Sequence, residues 1–223
     1  MTVQSYSHKQ ERESVLRLAL VAAARSLTTQ GLNRGTSGNI GVRLNASFLI
    51  TPSGAPTEML LPETMVEMDF SGAVLGVGKP SSEWRFHRDI LMARSDIGAV
   101  VHTHSRYATA FACLQREIPA FHYMIARAGG DSIRCTPYAI FGSQALSDLA
   151  LLALENRKTC LLGNHGVIAL GFDLADAMAL ALEVESLCEQ YWSALQLGEP
   201  NLLSADQMQE VLEKFKDYGR RQD

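Results

Sequence analysis

The chain has 223 residues, 47% of them hydrophobic, enough to bury one substantial core and a length that fits one large domain rather than two. Its 20 basic and 24 acidic residues give a net charge of −4 with no basic block, which excludes the electrostatic footprint of a nucleic-acid binder and leaves a small anion to be held by local donors. No apolar run is long enough to span a bilayer, the opening MTVQSYSHKQERE lacks an apolar signal core, and Cys113, Cys135, Cys160 and Cys188 form no C-x-x-C pair, so a reduced, cytoplasmic, membrane-free protein is expected.

From about His8 to Gln30, Leu16, Leu20, Ala23, Ala24 and Leu27 follow helical spacing, and Gly31 supplies a C-terminal stop. Ile40 to Leu44 and Phe48 to Thr51 read as a strand pair turned at Asn45-Ala46, and the loop TPSGAPTEMLLPE leads to a short strand around Val66 to Asp69. Trp84 to Arg94 returns to helical spacing. The run Gly98-Ala99-Val100-Val101 is small and β-branched, which suits a buried strand and puts His102 and His104 on one face with Thr103 on the other. A helix near Ser143 to Asn156 precedes two strands, Thr159 to Leu162 and Val167 to Leu170. Asp173 then caps a long helix to about Leu195, whose face of Ala177, Ala181, Val184, Cys188 and Trp192 fits core or subunit interface better than a cofactor site. Ser204 to Gln207 resembles a capping box that opens a last amphipathic helix running toward KFKDYG. Interleaved helices and strands with hairpin-like pairs predict an α/β fold and a sheet that is mixed rather than all parallel.

Two imidazoles on one strand face can chelate a cation, because the backbone fixes their separation beforehand; they can also be ordinary histidines bonded to backbone carbonyls. His165 in LLGNHGVIAL occupies a Gly-bracketed turn between two strands, at the kind of strand end where α/β sites gather, or is simply a turn residue. Together the three make a nitrogen set with open positions, the pattern of a catalytic zinc. In GKPSSEWRFH, Glu83 follows two serines at a helix start. It either just favours the positive helix end, or sits as a base beside an anion cradled by Ser81, Ser82 and the first amides. His87, one turn on, permits co-ligation but needs only a surface partner. GLNRGTSGNIGVR and ITPSGAP match neither a P-loop nor a dinucleotide fingerprint; Gly38, Asn39, Ser53 and Gly54 are phosphate donors or turn formers.

Through these segments and KPSSEWRFH, AVVHTHS, IPAFHYMIARAGGDSI, PYAIFG, NHGVIA and VLEKFKDYG, nearly the whole chain resembles the class II aldolase/adducin family, and within it the bacterial L-fuculose-1-phosphate aldolases. The resemblance implies a three-layer α/β/α fold with a central mixed, largely antiparallel sheet. It implies one domain over residues 1–223, a C-terminal helix at 204–218 reaching toward a subunit interface, and a homotetramer with active sites between subunits. It assigns zinc, one ion per subunit, to His102, His104 and His165, with Glu83 as the adjoining carboxylate, ligand and base. It maps the phosphate pocket onto Gly38, Asn39, Ser53, Gly54, Ser81 and Ser82 with Thr36 at its edge, the catalytic tyrosines onto Tyr123 and Tyr218, and an aldehyde-side phenylalanine onto Phe141. The implied reaction is reversible cleavage of L-fuculose 1-phosphate, a sugar phosphate, to dihydroxyacetone phosphate and L-lactaldehyde. The alternatives are a 5-deoxypentulose-1-phosphate aldolase, a sugar-phosphate 4-epimerase or decarboxylase of the same family, and a non-enzymatic adducin-like interaction module; Glu83, where the epimerases resemble one another by an aspartate, favours aldolase. The chain departs from the family pattern at Asn164, where the aldolases carry histidine, and at Gly41, where the family has serine or valine. Arg127 and Arg134 add charge near the aldehyde-side segment.

Overall fold

The computed structural model of the protein describes residues 3–217. Strands β1 (Asn39–Arg43), β2 (Ser47–Ile50), β3 (Val66–Asp69), β4 (Ala99–Thr103), β5 (Thr159–Leu162) and β6 (Gly166–Gly171) form one sheet in the order β3-β2-β1-β4-β6-β5. Every strand pair in it is antiparallel, and the parallel component is an isolated bridge between Cys135 and Leu161. The sheet is thus antiparallel to a greater degree than the expected mixed arrangement: hairpin connections join β1 to β2, β2 to β3 and β5 to β6, and even where a connection skips strands, from β3 to β4 and from β4 to β5, the strand lands antiparallel to its neighbours.

Alternation explains why both faces are covered. Ile40, Leu49, Val101 and Ala169 belong to one buried cluster, and Ile50, Val100, Ile168 and Leu170 to the other. Apolar side chains at successive positions of a strand need cover on both sides, and each one of this size contributes about 1.5–3 kcal/mol when buried. Six helices supply that cover: α1 (Val3–Thr29), α2 (Trp84–Ala93), α3 (Arg106–Cys113), α4 (Gln144–Ala153), α5 (Leu174–Leu197) and α6 (Ala205–Asp217). The first cluster receives α1, α3, α5 and, through Met208, α6; the second receives α2 and α4. The result is the three-layer α/β/α arrangement.

The caps act where the sequence places them. Asp173 accepts from the Asp176 amide at 2.8 Å, and Ser204 and Gln207 exchange reciprocal bonds of 2.9 and 3.2 Å. Gly31 takes φ +76° where α1 stops, and α1 begins at Val3, earlier than the apolar spacing indicates. On α5, Ala177, Ala181, Val184 and Cys188 are buried, whereas Trp192 is 46% exposed and leans on Tyr107. Cys113 is exposed rather than part of the core.

Helix α3 is the element that periodicity does not reveal. Its N-cap, Ser105, makes no side-chain cap; instead Glu185 on α5 accepts from the amides of Tyr107 (2.8 Å) and Ala108 (3.0 Å). A carboxylate at a helix N-terminus satisfies open donors and complements the dipole, but this one arrives from a distant segment. Glu185→Ala is expected to lower stability by about 1–2 kcal/mol, readable as a lower denaturation midpoint with unchanged secondary structure.

Candidate active site

The site grows from the end of β4. Strand alternation carries the His102 and His104 rings to the same side, and their Nε2 atoms stand 3.0 Å apart. His102 is fully buried and its Nδ1 donates to the Val167 carbonyl at 3.0 Å, which leaves a bare lone pair on Nε2. The His104 amide donates to Asn33 Oδ1 at 3.0 Å, so Asn33 fixes the chain as it leaves the strand. Gly38 permits this: at φ +75°, a Cβ there would lie 2.2 Å from Asn33 Nδ2. Asn33 is a residue that sequence reasoning missed; its presence in GLNRGTSGN was the available signal.

His165 arrives from the turn between β5 and β6. Asn164 adopts φ +56°, a left-handed conformation that asparagine tolerates well. Its amide group accepts from Gln115 at 2.8 Å and donates to the Cys113 carbonyl at 3.3 Å, clasping the turn to the end of α3. The departure at Asn164 therefore holds the loop that presents His165. The two arginines have structural partners as well: Arg134 caps α4 through the Ala153 and Glu155 carbonyls, and Arg127 faces Glu183 at 4.0 Å.

Glu83 sits at the N-cap of α2, with Oε2 3.2 Å from His102 Nε2 and Oε1 3.3 Å from His165 Nε2. The three imidazoles pack edge to face with ring centroids 4.8–4.9 Å apart, and the four candidate ligand atoms all lie within 4.8 Å of one another. Nitrogens that share one cation at about 2.1 Å stand roughly 3–3.4 Å apart, so this N,N,N,O set fits a borderline divalent ion. Glu83 Oε1, buried without a hydrogen-bond donor, is explained by the same fit.

Charge follows geometry. Burial alone would raise the Glu83 carboxyl, but His102, His165 and the Asn39 amide outweigh it and hold the group well below the usual carboxylate range. Burial, then the neighbouring imidazoles, lower His104 to about 4, and His165 is likewise lowered to about 4 by burial and His102. Both rings are thus neutral near pH 7, with lone pairs free to bind a cation. His87 corrects the expectation of a surface histidine: it is completely buried, and burial followed by the nearby His102 lowers it to about 3. An unfolded chain protonates this residue near pH 6.5 while the folded one does not, so its contribution is intact above pH 6.5 and erodes as pH falls toward 3. Between pH 7 and 5 the metal-free protein should lose about 2 kcal/mol through His87 alone. Denaturant titrations at the two pH values check this, since His87→Phe should shrink the difference by that amount.

Above the tetrad opens a cleft of about 310 Å³. Thr36, Gly38, Asn39, Ser53, Gly54, Ser81, Ser82 and Phe141 all line it with Glu83, His104 and His165, joined by Tyr138 and Asn164. The lining offers hydroxyls, amides and the start of α2 to an anion, and adds the aromatic rings of Tyr138 and Phe141. The side chain of Asn39 is already engaged with Glu83 and His87. Tyr123 is not brought into the cleft: it is 51% exposed and stacks at 6.4 Å on Phe215 of α6. Tyr218 lies outside the described residues.

Residues 18–192 match the family described as Class II Aldolase and Adducin N-terminal domain. The chain belongs to this family. A 5-methylthioribulose-1-phosphate/5-deoxyribulose-1-phosphate aldolase of Rhodospirillum rubrum is 57% identical over 204 residues, 92% of each protein. An L-fuculose phosphate aldolase of Escherichia coli K12 is 46% identical over 212 residues, 95% of this chain and 98% of the relative. A solved structure of an L-fuculose 1-phosphate aldolase superposes with a TM-score of 0.87 at 38% identity, covering 90% of this chain and 95% of the other. As a class II aldolase, the protein is a metal-dependent lyase, and the His/Glu tetrad is the group of its described residues suited to hold the metal. Among those residues no helix is long and apolar enough to cross a membrane.

Proposed function

We propose that the protein reversibly cleaves a 1-phosphorylated ketose between C3 and C4, giving dihydroxyacetone phosphate and a short aldehyde, with one zinc ion per chain held by His102, His104 and His165. The convergence of three imidazole nitrogens with Glu83, at a cleft that Glu83, His104 and His165 line together with hydroxyl and amide donors, carries this reading. Zinc bound there supplies Lewis acidity toward the oxygens of the ketose. Thr36, Gly38, Ser53, Gly54, Ser81 and Ser82 bind the phosphate with hydroxyl and backbone donors, which suits a pocket lined by no lysine or arginine. Glu83, held ionised, accepts and returns the proton at the carbon that becomes C3 of the dihydroxyacetone phosphate fragment. Phe141, beside Tyr138, packs against the aldehyde fragment.

Tyr123 donates and recovers the proton of the aldehyde oxygen, and Tyr218 orients the same fragment. Both act from a neighbouring chain. The position of Tyr123 outside its own cleft supports a homotetramer with sites between subunits, in which α6 carries the end of one chain toward the next site. Residues 1–223 act as one catalytic domain, in the cytoplasm.

For the substrate, the motifs taken alone put L-fuculose 1-phosphate first. The 57% identity to the Rhodospirillum rubrum protein moves 5-deoxyribulose 1-phosphate and its methylthio analogue ahead of it. The aromatic rings of Tyr138 and Phe141 suit a methyl or methylthio tail. L-Fuculose 1-phosphate is the second reading, favoured by the 46% relative and the 38% structure. The test is release of dihydroxyacetone phosphate from each ester, after chelation and after zinc is restored. Preferential, zinc-restored cleavage of the deoxypentulose esters supports the first reading, and preference for the fuculose ester supports the second. No cleavage by zinc-loaded protein returns the epimerase, decarboxylase and interaction-module alternatives.

A further inference from the structure

We propose that His87 is a positioning residue that aims the Glu83 carboxylate through Asn39, and that Gly41 is the clearance its ring requires. This deepens the aldolase reading and rests on it for the role of Glu83. His87 lies on α2, completely buried, with its Nε2 against Asn39 Oδ1. Asn39, at the start of β1, in turn donates Nδ2–H to Glu83 Oε2 at 2.9 Å. The same oxygen faces His102 Nε2 at 3.2 Å, so this amide is the lever that sets where the carboxylate sits among the imidazoles.

A primary amide between two partners has two orientations, and one of them turns its oxygen toward the carboxylate. Nε2–H of His87 removes the ambiguity: Asn39 Oδ1 accepts from the ring, which leaves only Nδ2–H to meet Glu83. The proton on Nε2 leaves Nδ1 as a bare acceptor, and that atom is buried with no partner. A buried polar atom left unsatisfied has a cost that core packing does not explain, because a phenylalanine would fill the ring volume without it. The donor on the opposite edge is what the position retains.

Gly41 belongs to the same device. A Cβ at this position would lie 2.6 Å from His87 Nδ1, 3.1 Å from Cγ and 3.3 Å from Cβ. These are atoms at the base of a fully buried ring, with no flexible end to swing aside. The sequence departure at Gly41 therefore fits the placement of His87.

The test compares His87→Phe, which keeps volume without a donor, with His87→Gln, whose amide nitrogen reaches about as far as Nε2. For cleavage of the preferred ester, His87→Phe should lower kcat by about 10- to 100-fold with KM within about threefold, and weaken zinc binding by a similar factor in chelator competition. His87→Gln should recover most of both losses. Combining His87→Phe with Asn39→Ala should be no worse than Asn39→Ala alone, because the two act in series. Gly41→Ala should reproduce the His87→Phe loss. Unchanged kcat and zinc affinity in His87→Phe, additive losses in the double variant, or equal losses in His87→Gln would each overturn the proposal. The zinc measurement needs no turnover. If the wild type cleaves none of the esters, weaker zinc binding by His87→Phe that disappears in a Glu83→Gln background would leave the positioning role standing and refute only the aldolase reading.

Discussion

Glu83→Gln is expected to lower kcat by about 10²- to 10⁴-fold while the fold, KM and zinc content at saturating metal stay close to those of the wild type. The side chain is nearly isosteric, and its carbonyl oxygen can still accept from Asn39 Nδ2, so the bond now 2.9 Å long has a replacement. What disappears is the negative charge and the capacity to take a proton. That capacity is what the site protects: burial opposes the ionised form, yet two imidazoles and one amide keep it ionised. Three imidazole nitrogens remain, and three protein ligands suffice for a catalytic zinc. Steady-state kinetics alongside metal analysis separates the possibilities. A kcat loss at constant zinc content assigns Glu83 to proton transfer, a parallel loss of zinc makes it chiefly a ligand, and unchanged turnover removes it from the chemistry.

The histidine pair was legible because it depends only on strand period. Alternation at Val100, Val101, His102 and Thr103 fixes which side each ring takes, and no distant contact alters it. Meeting His165 and Glu83 required more, since those residues come from a turn and a helix start whose positions only the closed sheet determines; there the motif resemblance supplied what periodicity could not. The supporting residues were hidden for a further reason. Asn33 serves the amide of His104, Glu185 caps α3, and Asn39 ties His87 to Glu83, each through a partner far along the chain. An asparagine or glutamate in a local window has the same composition signal whether it forms a turn or holds a catalytic loop. His87 was misread for this cause: helical spacing shows it one turn from Glu83, but not that β1 covers it.

His104→Ala is expected to abolish stoichiometric zinc binding and reduce cleavage by more than about 100-fold, the upper range for losing only an outer-sphere partner. This histidine gives the cleanest ligand test because its backbone and side chain have separate duties. The amide holds Asn33, and an alanine keeps that bond; the ring's polar contact is the approach of its Nε2 to that of His102. His102→Ala is less clean, since it also strips the donor from the buried Val167 carbonyl, a loss of about 1–3 kcal/mol that mixes folding with binding. After chelation, excess zinc should restore the wild type but not His104→Ala, with the two proteins unfolding at similar midpoints in their metal-free forms. A stable variant that still holds one zinc per chain without the 104 imidazole would remove His104 from the ligand set. Retained zinc with lost cleavage would instead place the ring on the substrate side of the cleft, where it also forms part of the lining.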